Sequence, residues 1–331
     1  MPRIPSLIVR VGASPQTGSG EKLVWRWMLR TARECKLSGY KQEVAYQVIR
    51  SGVEDCGRTV SDREINRAIT RAYGAPVSGN TGAHGASSWP KPDVSQVERL
   101  VAEYPEFNVE VMRGHELNRA GMYAENLYGI LEKLFFPKSL LCIGTDTFSP
   151  MAISLDRLKR RNPQMFQFIV PSPMTKRSGK NQDGEPSVRC LDTVGPRRFL
   201  VIEFDFKKTD DNGNPTIWTP LIERWESQGL SVKDACARLV RHLAKDRFPL
   251  AMVVDSGGKS LHAWFYVQGE PETLGSALRE FINTAATLGA DTQVFVRCQW
   301  VRFPGGTRAN GKIQSVTYFR PDLIPIPENI L

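Results

Sequence analysis

Phe199 to Phe206 reads FLVIEFDF, an apolar run of branched and aromatic residues interrupted only by Glu203 and Asp205. Its length and composition predict a strand rather than a helix segment. Side chains two apart on a strand share a face. Glu203 and Asp205 then project together, with Ile202, Phe204 and Phe206 on the opposite side. Two carboxylates on a mostly buried strand repel each other and are costly to desolvate. A divalent cation with a preference for oxygen ligands, Mg²⁺ or Mn²⁺, relieves both costs. An edge strand carrying two solvated acids is the alternative.

Downstream, Val253 to Val267 reads VVDSGGKSLHAWFYV. Its GGKS is not a P-loop. Val253 stands where the earlier glycine is required, and a strand rather than a helix follows Ser260. The pattern instead predicts a glycine turn between two strands. Ser260 and His262 then share a face beside Lys259 and the amides of Gly257 and Gly258, a donor group suited to phosphate. A structural histidine is the competing reading. Arg297 to Gln314, RCQWVRFPGGTRANGKIQ, places Arg302 and Arg308 on either side of a Pro-Gly-Gly turn, with Lys312 beyond. Arginine forks bind phosphate bidentately, although a basic surface turn reads the same way. Asp291, in the GADT just before, is a candidate third carboxylate or an ordinary helix-ending aspartate.

The rest of the chain arranges itself around these stretches. Residues 1–20 end in GASPQTGSG and read as a flexible lead-in. Residues 21–75 carry three helical patterns. The first has a stripe of Trp25, Met28, Leu29 and Ala32, the second of Val44, Ala45, Val48 and Ile49. The third opens at Ser61 with Glu64 as a capping box and buries Ile65, Ala68, Ile69 and Ala72. Its Arg63, Arg67 and Arg71 form a solvated face or contact DNA. Residues 76–92 have linker composition, and His84 within them has no companion ligand. Residues 93–331 alternate helix and strand. Helices are predicted over Val94–Tyr104, Gly121–Phe135, Leu155–Arg161, Leu221–Trp225, Ser231–Leu243 and Glu272–Leu288. Strands are predicted over Ser139–Ile143, Met165–Val170, Pro249–Val254, Leu261–Val267, Val294–Phe303 and Gln314–Phe319. Pro171–Pro196 is a long polar loop of the kind that is functional or disordered. The class is α/β or α+β.

The 331 residues, 41% hydrophobic and 24% charged, are those of an ordinary globular protein. No apolar run is long enough to cross a bilayer, so no membrane role is expected, and the start lacks a secretory signal, which predicts a cytoplasmic protein. A net charge of +9 and a pI near 9.3 suit a polyanionic partner. Six scattered cysteines without a C-x-x-C pair argue against a zinc ribbon or a disulfide framework.

In order, the set is E-x-D on an apolar strand, S-x-H after a glycine turn, and an acid ahead of R-F-P-G-G-x-R. It resembles the archaeo-eukaryotic primase (AEP) superfamily, and within it the primase–polymerases of phages, plasmids and other mobile elements. FQFIVPSPM at Phe166–Met174 is also similar to that group, and the resemblance spans Phe135 to Phe319. Residues 21–73 resemble the small PriCT-like helical domain often attached to such enzymes, there usually after the catalytic part and here before it. The resemblance implies an α+β fold whose AEP-like core has an RRM-like antiparallel sheet. It implies Glu203, Asp205 and Asp291 as catalytic ligands of Mg²⁺ or Mn²⁺. Ser260 and His262, with Lys259, would hold the incoming nucleotide; Arg302 and Arg308 extend that set by charge and position. The implied activity is primer synthesis or extension on a single-stranded DNA template from NTPs or dNTPs, with a helicase as a separate chain. The first acid departs from the family's D-x-D by one methylene. A non-catalytic replication protein on the same fold and a metal-dependent nuclease are the alternatives.

Overall fold

A computed structural model describes residues 21–37, 39–54, 56, 59–74, 89–182, 184–210, 212–267 and 275–325. The lead-in, His84 and nearly all of the expected linker lie outside them. The chain divides into two compact units, Met1–Ala86 and Ser87–Leu331. Among the described residues no helix is long and apolar enough to cross a membrane.

The first unit holds α1 (Glu21–Leu37), α2 (Gln42–Gly52) and α3 (Asp62–Gly74). Its core unites Val24, Met28, Ala32 and Cys35 of α1 with Ala45 and Ile49 of α2 and with Ile65, Ala68, Ile69 and Ala72 of α3. The α1 stripe is therefore rotated from the expected one. Val24, Met28, Ala32 and Cys35 are buried, whereas Trp25 and Leu29 flank the core, because positions 24, 28, 32 and 35 follow the helical repeat along one face. The capping box is formed: the Ser61 N–H donates to Glu64 Oε2 at 3.1 Å, and the Glu64 N–H donates to Ser61 Oγ at 3.3 Å. The Arg67 guanidinium lies 5.8 Å from the Trp25 ring centre.

The second unit is α+β. Its helices are α4 (Val94–Glu103), α5 (Val109–Arg113), α6 (Leu127–Leu134), α7 (Leu155–Leu158), α8 (Thr219–Ser227), α9 (Val232–Leu243) and α10 (Gly275–Thr287). One sheet joins β1 (Leu140–Gly144), β2 (Pro150–Ser154), β3 (Phe168–Ile169) and a later strand in the order β2-β1-β3-β9, where β9 is Val301–Arg302. A two-stranded ribbon, β4 (Gly179–Lys180) and β5 (Pro186–Ser187), lies in the long polar loop. The other main sheet has the order β10-β7-β8-β6, from β6 (Phe199–Glu203), β7 (Leu250–Asp255), β8 (Leu261–Tyr266) and β10 (Val316–Phe319). Both four-stranded sheets are antiparallel throughout.

Alternation along β6 sorts its side chains between two cores. Leu200 and Ile202, continued by Phe204 and Phe206, pack against α4, α8, α9 and α10 through residues such as Leu100, Trp225, Leu239 and Phe281. Phe199 and Val201 face the first sheet, meeting Trp264 and Tyr266 of β8 and Leu141, Ile143, Val301 and Phe303. Burial on both faces explains why the strand reads as an almost unbroken apolar run. Each fully buried side chain of this size contributes about 1.5–3 kcal/mol relative to exposure, so the chain must retain this strand to hold its two layers together.

Several elements are shorter than the pattern predicts. The Gly121–Phe135 helix is divided, because Asn126 caps α6 by accepting the Gly129 N–H and leaves a separate 3₁₀ turn at Ala120–Tyr123. The Met165–Val170 strand shrinks to β3 behind a turn at Pro163–Met165. The Val294–Phe303 strand becomes a 3₁₀ turn, Thr292–Phe295, and the brief β9. The long loop is not merely polar: Met174, Cys190 and Val194 are buried, and Met174 and Val194 pack with Cys142 and Trp300 on the outer face of β1. At the end of the expected linker, Trp89 packs edge-on against Phe295 with ring centres 5.4 Å apart. All six cysteines are free thiols.

Candidate active site

The antiparallel register of β6 and β8 sets Glu203 directly opposite His262, and β7 places Val254 on the other side of the same histidine. His262 is buried, with 3% exposure. Its Nε2 lies 3.4 Å from Glu203 Oε1, close enough for charge attraction, yet neither ring nitrogen has a hydrogen-bonding partner. Ser260 enters from the turn before β8 and donates its hydroxyl to Glu203 Oε1 at 2.7 Å, with Ser256 Oγ 3.2 Å away. Burial alone would raise the Glu203 pKa. Attraction to the closely approaching His262, the hydrogen bond from Ser260 and the Arg302 charge outweigh that cost and bring it down to about 2. The Ser260 hydroxyl is thus committed to the carboxylate, where the resemblance implies a phosphate contact.

The alternation of β6 persists beyond its last ladder residue. Phe204 and Phe206 are buried, and Asp205 between them emerges on the Glu203 side, where Oδ2 pairs with Lys207 Nζ at 2.8 Å. Phe204 forms an isolated antiparallel bridge with Ala290, and the Asp291 N–H donates to the Glu203 carbonyl at 2.8 Å. This segment after α10 therefore runs along the free side of β6 and brings Asp291 to the acid pair. Burial raises the Asp291 pKa. Its hydrogen bond from the Gln293 N–H opposes the rise, the charges of Glu203 and Asp205 add to it, and Lys207 offsets part. The three acids are electrostatic neighbours.

Their chemistry fits a hard divalent cation: carboxylate oxygens beside a buried imidazole whose nitrogens make no hydrogen bond. Their spacing is looser than a finished cage. Among the described residues, no three His, Cys, Asp or Glu side chains stand close enough to hold one ion. Like charges repel, and each acid has turned to its own partner: Glu203 to Ser260, Asp205 to Lys207, and Asp291 to the Gln293 N–H.

The basic half of the site rests on two glycine turns. Gly257 has φ +70°, and a Cβ there would come 2.9 Å from the Ile313 carbonyl; one on Gly258 would come 2.6 Å from Arg308 Nη1. These two positions let the Arg308–Lys312 turn nest against Ser256–Lys259, where Arg308 Nη1 donates to the Ser256 carbonyl at 3.4 Å. Arg302 on β9 lies 4.8 Å from the Phe168 ring centre. Burial lowers its pKa and Arg308 lowers it further, while Glu203 opposes both, so the two guanidiniums and the carboxylate share one field. Lys259 is exposed, has no ion pair or hydrogen bond among the described residues, and lines a cleft with Phe206, Lys208, Ser231 and Lys233. Arg297 serves the framework, donating to the Gly195 carbonyl at 3.2 Å.

Residue patterns did not single out Asp255 and Lys233. Lys233 Nζ lies 2.9 Å from both Asp255 oxygens, and Asp255 also accepts the Gly257 N–H, so this pair holds the glycine turn to α9. An acid ending the apolar VVD run was the only available signal.

No family model matches the chain, and no curated protein matches it. Among solved structures, the AEP domain of the primase–polymerase of cyanophage S-2L is similar at 13% identity and a TM-score of 0.32, over 61% of this chain and 98% of that one. Likeness at that level defines neither the fold nor the activity.

Proposed function

We propose that the chain is a metal-dependent nucleotidyltransferase of the primase–polymerase type, making or extending primers on single-stranded DNA from NTPs or dNTPs. The observation that carries this reading is the cross-strand pair of Glu203 and a buried His262 whose ring nitrogens make no hydrogen bond, with Asp291 in the field of Glu203 and Asp205, and Arg302 in that of Glu203 and Arg308. A buried polar group without a partner costs about 1–3 kcal/mol, an expense a folded chain retains where a ligand is to be met.

Glu203, Asp205 and Asp291 are the residues that would hold Mg²⁺ or Mn²⁺. When bound, such ions activate a 3′-hydroxyl and neutralise the departing pyrophosphate. The chain's own contribution is positional. Ser260 fixes the Glu203 carboxylate, and His262 would donate a ring N–H to a phosphate oxygen. Arg302 and Arg308 present guanidinium forks to the same anion, with a buried framework behind them that limits reorganisation. An RRM-like reading of the core is supported by the order β6, helices, β7-β8 hairpin, helix, and a last segment bridging back to β6 at Ala290. A helicase supplied as a separate chain belongs to the same proposal.

The test is template-dependent incorporation of labelled nucleotides with Mn²⁺ or Mg²⁺ by the wild-type chain and by Asp205→Ala. Asp205 is exposed, so the variant should fold normally and incorporate nothing. Wild-type activity surviving in the variant would refute the metal assignment, and degradation of labelled single strands without nucleotides would favour a nuclease.

A further inference from the structure

The outer edge of the β2-β1-β3-β9 sheet carries a feature that the proposed chemistry does not use. Arg157, Arg160 and Arg161, from α7 and the turn after it, converge with Arg177 of the long polar loop around Met151–Ile153 of β2. Together they line a cavity of about 530 Å³. All four arginines are exposed, and among the described residues none lies within ion-pair distance of a carboxylate. The neighbouring lysines behave differently: Lys159 pairs with Glu132, and Lys176 pairs with Asp192. Arg177 Nη1 also donates to the Ala152 carbonyl at 2.6 Å, which occupies an edge group of β2 and anchors the loop to the groove. Exposed apolar surface lies on the same hairpin, with Met151 at 44% exposure and Phe148 at its tip at 75%.

We propose that this groove is a binding track for the sugar–phosphate backbone of single-stranded DNA. Four guanidiniums without carboxylate partners, drawn from two separate segments, match a run of phosphates, and an exposed aromatic ring on the same hairpin suits a base that stacks without sequence preference. In the sheet order, β2 lies three strands from β9, the strand that carries Arg302. Three strand spacings are roughly 14 Å, so one strand of DNA can occupy the groove and approach the candidate active site. Calling that strand the template rests on the proposed function; the groove's affinity for the strand does not.

The experiment compares the full-length wild type with the triple variant Arg157→Gln, Arg160→Gln and Arg161→Gln, leaving Arg177 to hold the sheet edge. Binding of a fluorescent 20-nucleotide single strand is measured as a function of salt. Each lost phosphate contact removes about 0.7 from the log–log salt slope, so the triple variant should lose a slope of about 2 and bind about 100-fold more weakly at 0.1 M salt. Its thermal melting and its affinity for a free fluorescent nucleotide should be unchanged. Unchanged DNA affinity and slope would overturn the proposal, as would loss of binding to anionic lipid vesicles with DNA binding retained. A wild type that binds DNA through the groove yet incorporates nothing refutes the proposed activity alone. One that incorporates normally while the triple variant binds DNA normally refutes the groove alone.

Discussion

Replacing Glu203 with Gln keeps the shape of the side chain and removes its charge, which tests whether the surrounding groups truly outweigh its burial. The folded-state pKa is depressed from 4.5 to about 2. The stabilisation is therefore fully present above the unfolded value and is lost as pH falls through the folded one. At about 1.4 kcal/mol per unit, the ionised form contributes about 3 kcal/mol at pH 7 and about 1 kcal/mol at pH 3. The Gln variant mimics the neutral form, so its deficit against wild type should follow the same course. For the larger unit, this corresponds to a melting temperature lower by about 6–12 °C at neutral pH. Denaturant and thermal unfolding of both proteins at pH 7, 5 and 3, without divalent ions, measure the deficit. A variant as stable as wild type at pH 7 would refute the reasoning, because Ser260, His262 and Arg302 would then fail to repay the desolvation of the carboxylate. So would a deficit that stayed constant with pH.

Three further outcomes are expected. Gly306→Ala should destabilise the larger unit by 2 kcal/mol or more in denaturant unfolding, since its Cβ would lie 1.9 Å from the Phe166 carbonyl; Gly311→Ala, with open space around it but φ +80°, should cost about 1 kcal/mol. Ser61→Ala should weaken the helical unit by about 1 kcal/mol through loss of its capping box, seen as a lower midpoint for that unit's helical signal. Millimolar Mn²⁺ should raise the melting temperature of wild type and leave that of the Asp205→Asn, Asp291→Asn double variant unmoved, because only the native state presents the acid group. An equal rise in both proteins would place the ion elsewhere.

The period of two grouped Glu203 with Asp205 and put Phe204 and Phe206 on the opposite side of the strand, where both are found in the core packed against the helices. It also related Ser260 to His262, but it could not assign the hydroxyl's partner, because Glu203 stands 57 positions away in the chain. Element lengths were the least legible feature. Asn126 stops a helix whose apolar pattern runs on, and β3 and β9 are too short to establish a period of their own. The Arg177 contact with Ala152 spans two segments with no shared pattern, so no local reading anticipates the groove.

The chain by itself determined that an apolar strand would carry two acids on one face, that glycines would turn VVDSGGKS, and that Ser61 would open a helix. These follow from side-chain alternation, φ freedom and local hydrogen bonding, all of which act between residues close in sequence. Only the tertiary structure decided that His262 would lie opposite Glu203 with neither ring nitrogen hydrogen-bonded, that Asp291 would run beside β6, and that Arg308 would fit against the bare glycines. Those outcomes depend on strand register and on which distant backbones approach most closely, and both are set by how the apolar faces of the two sheets and their helices fill space together.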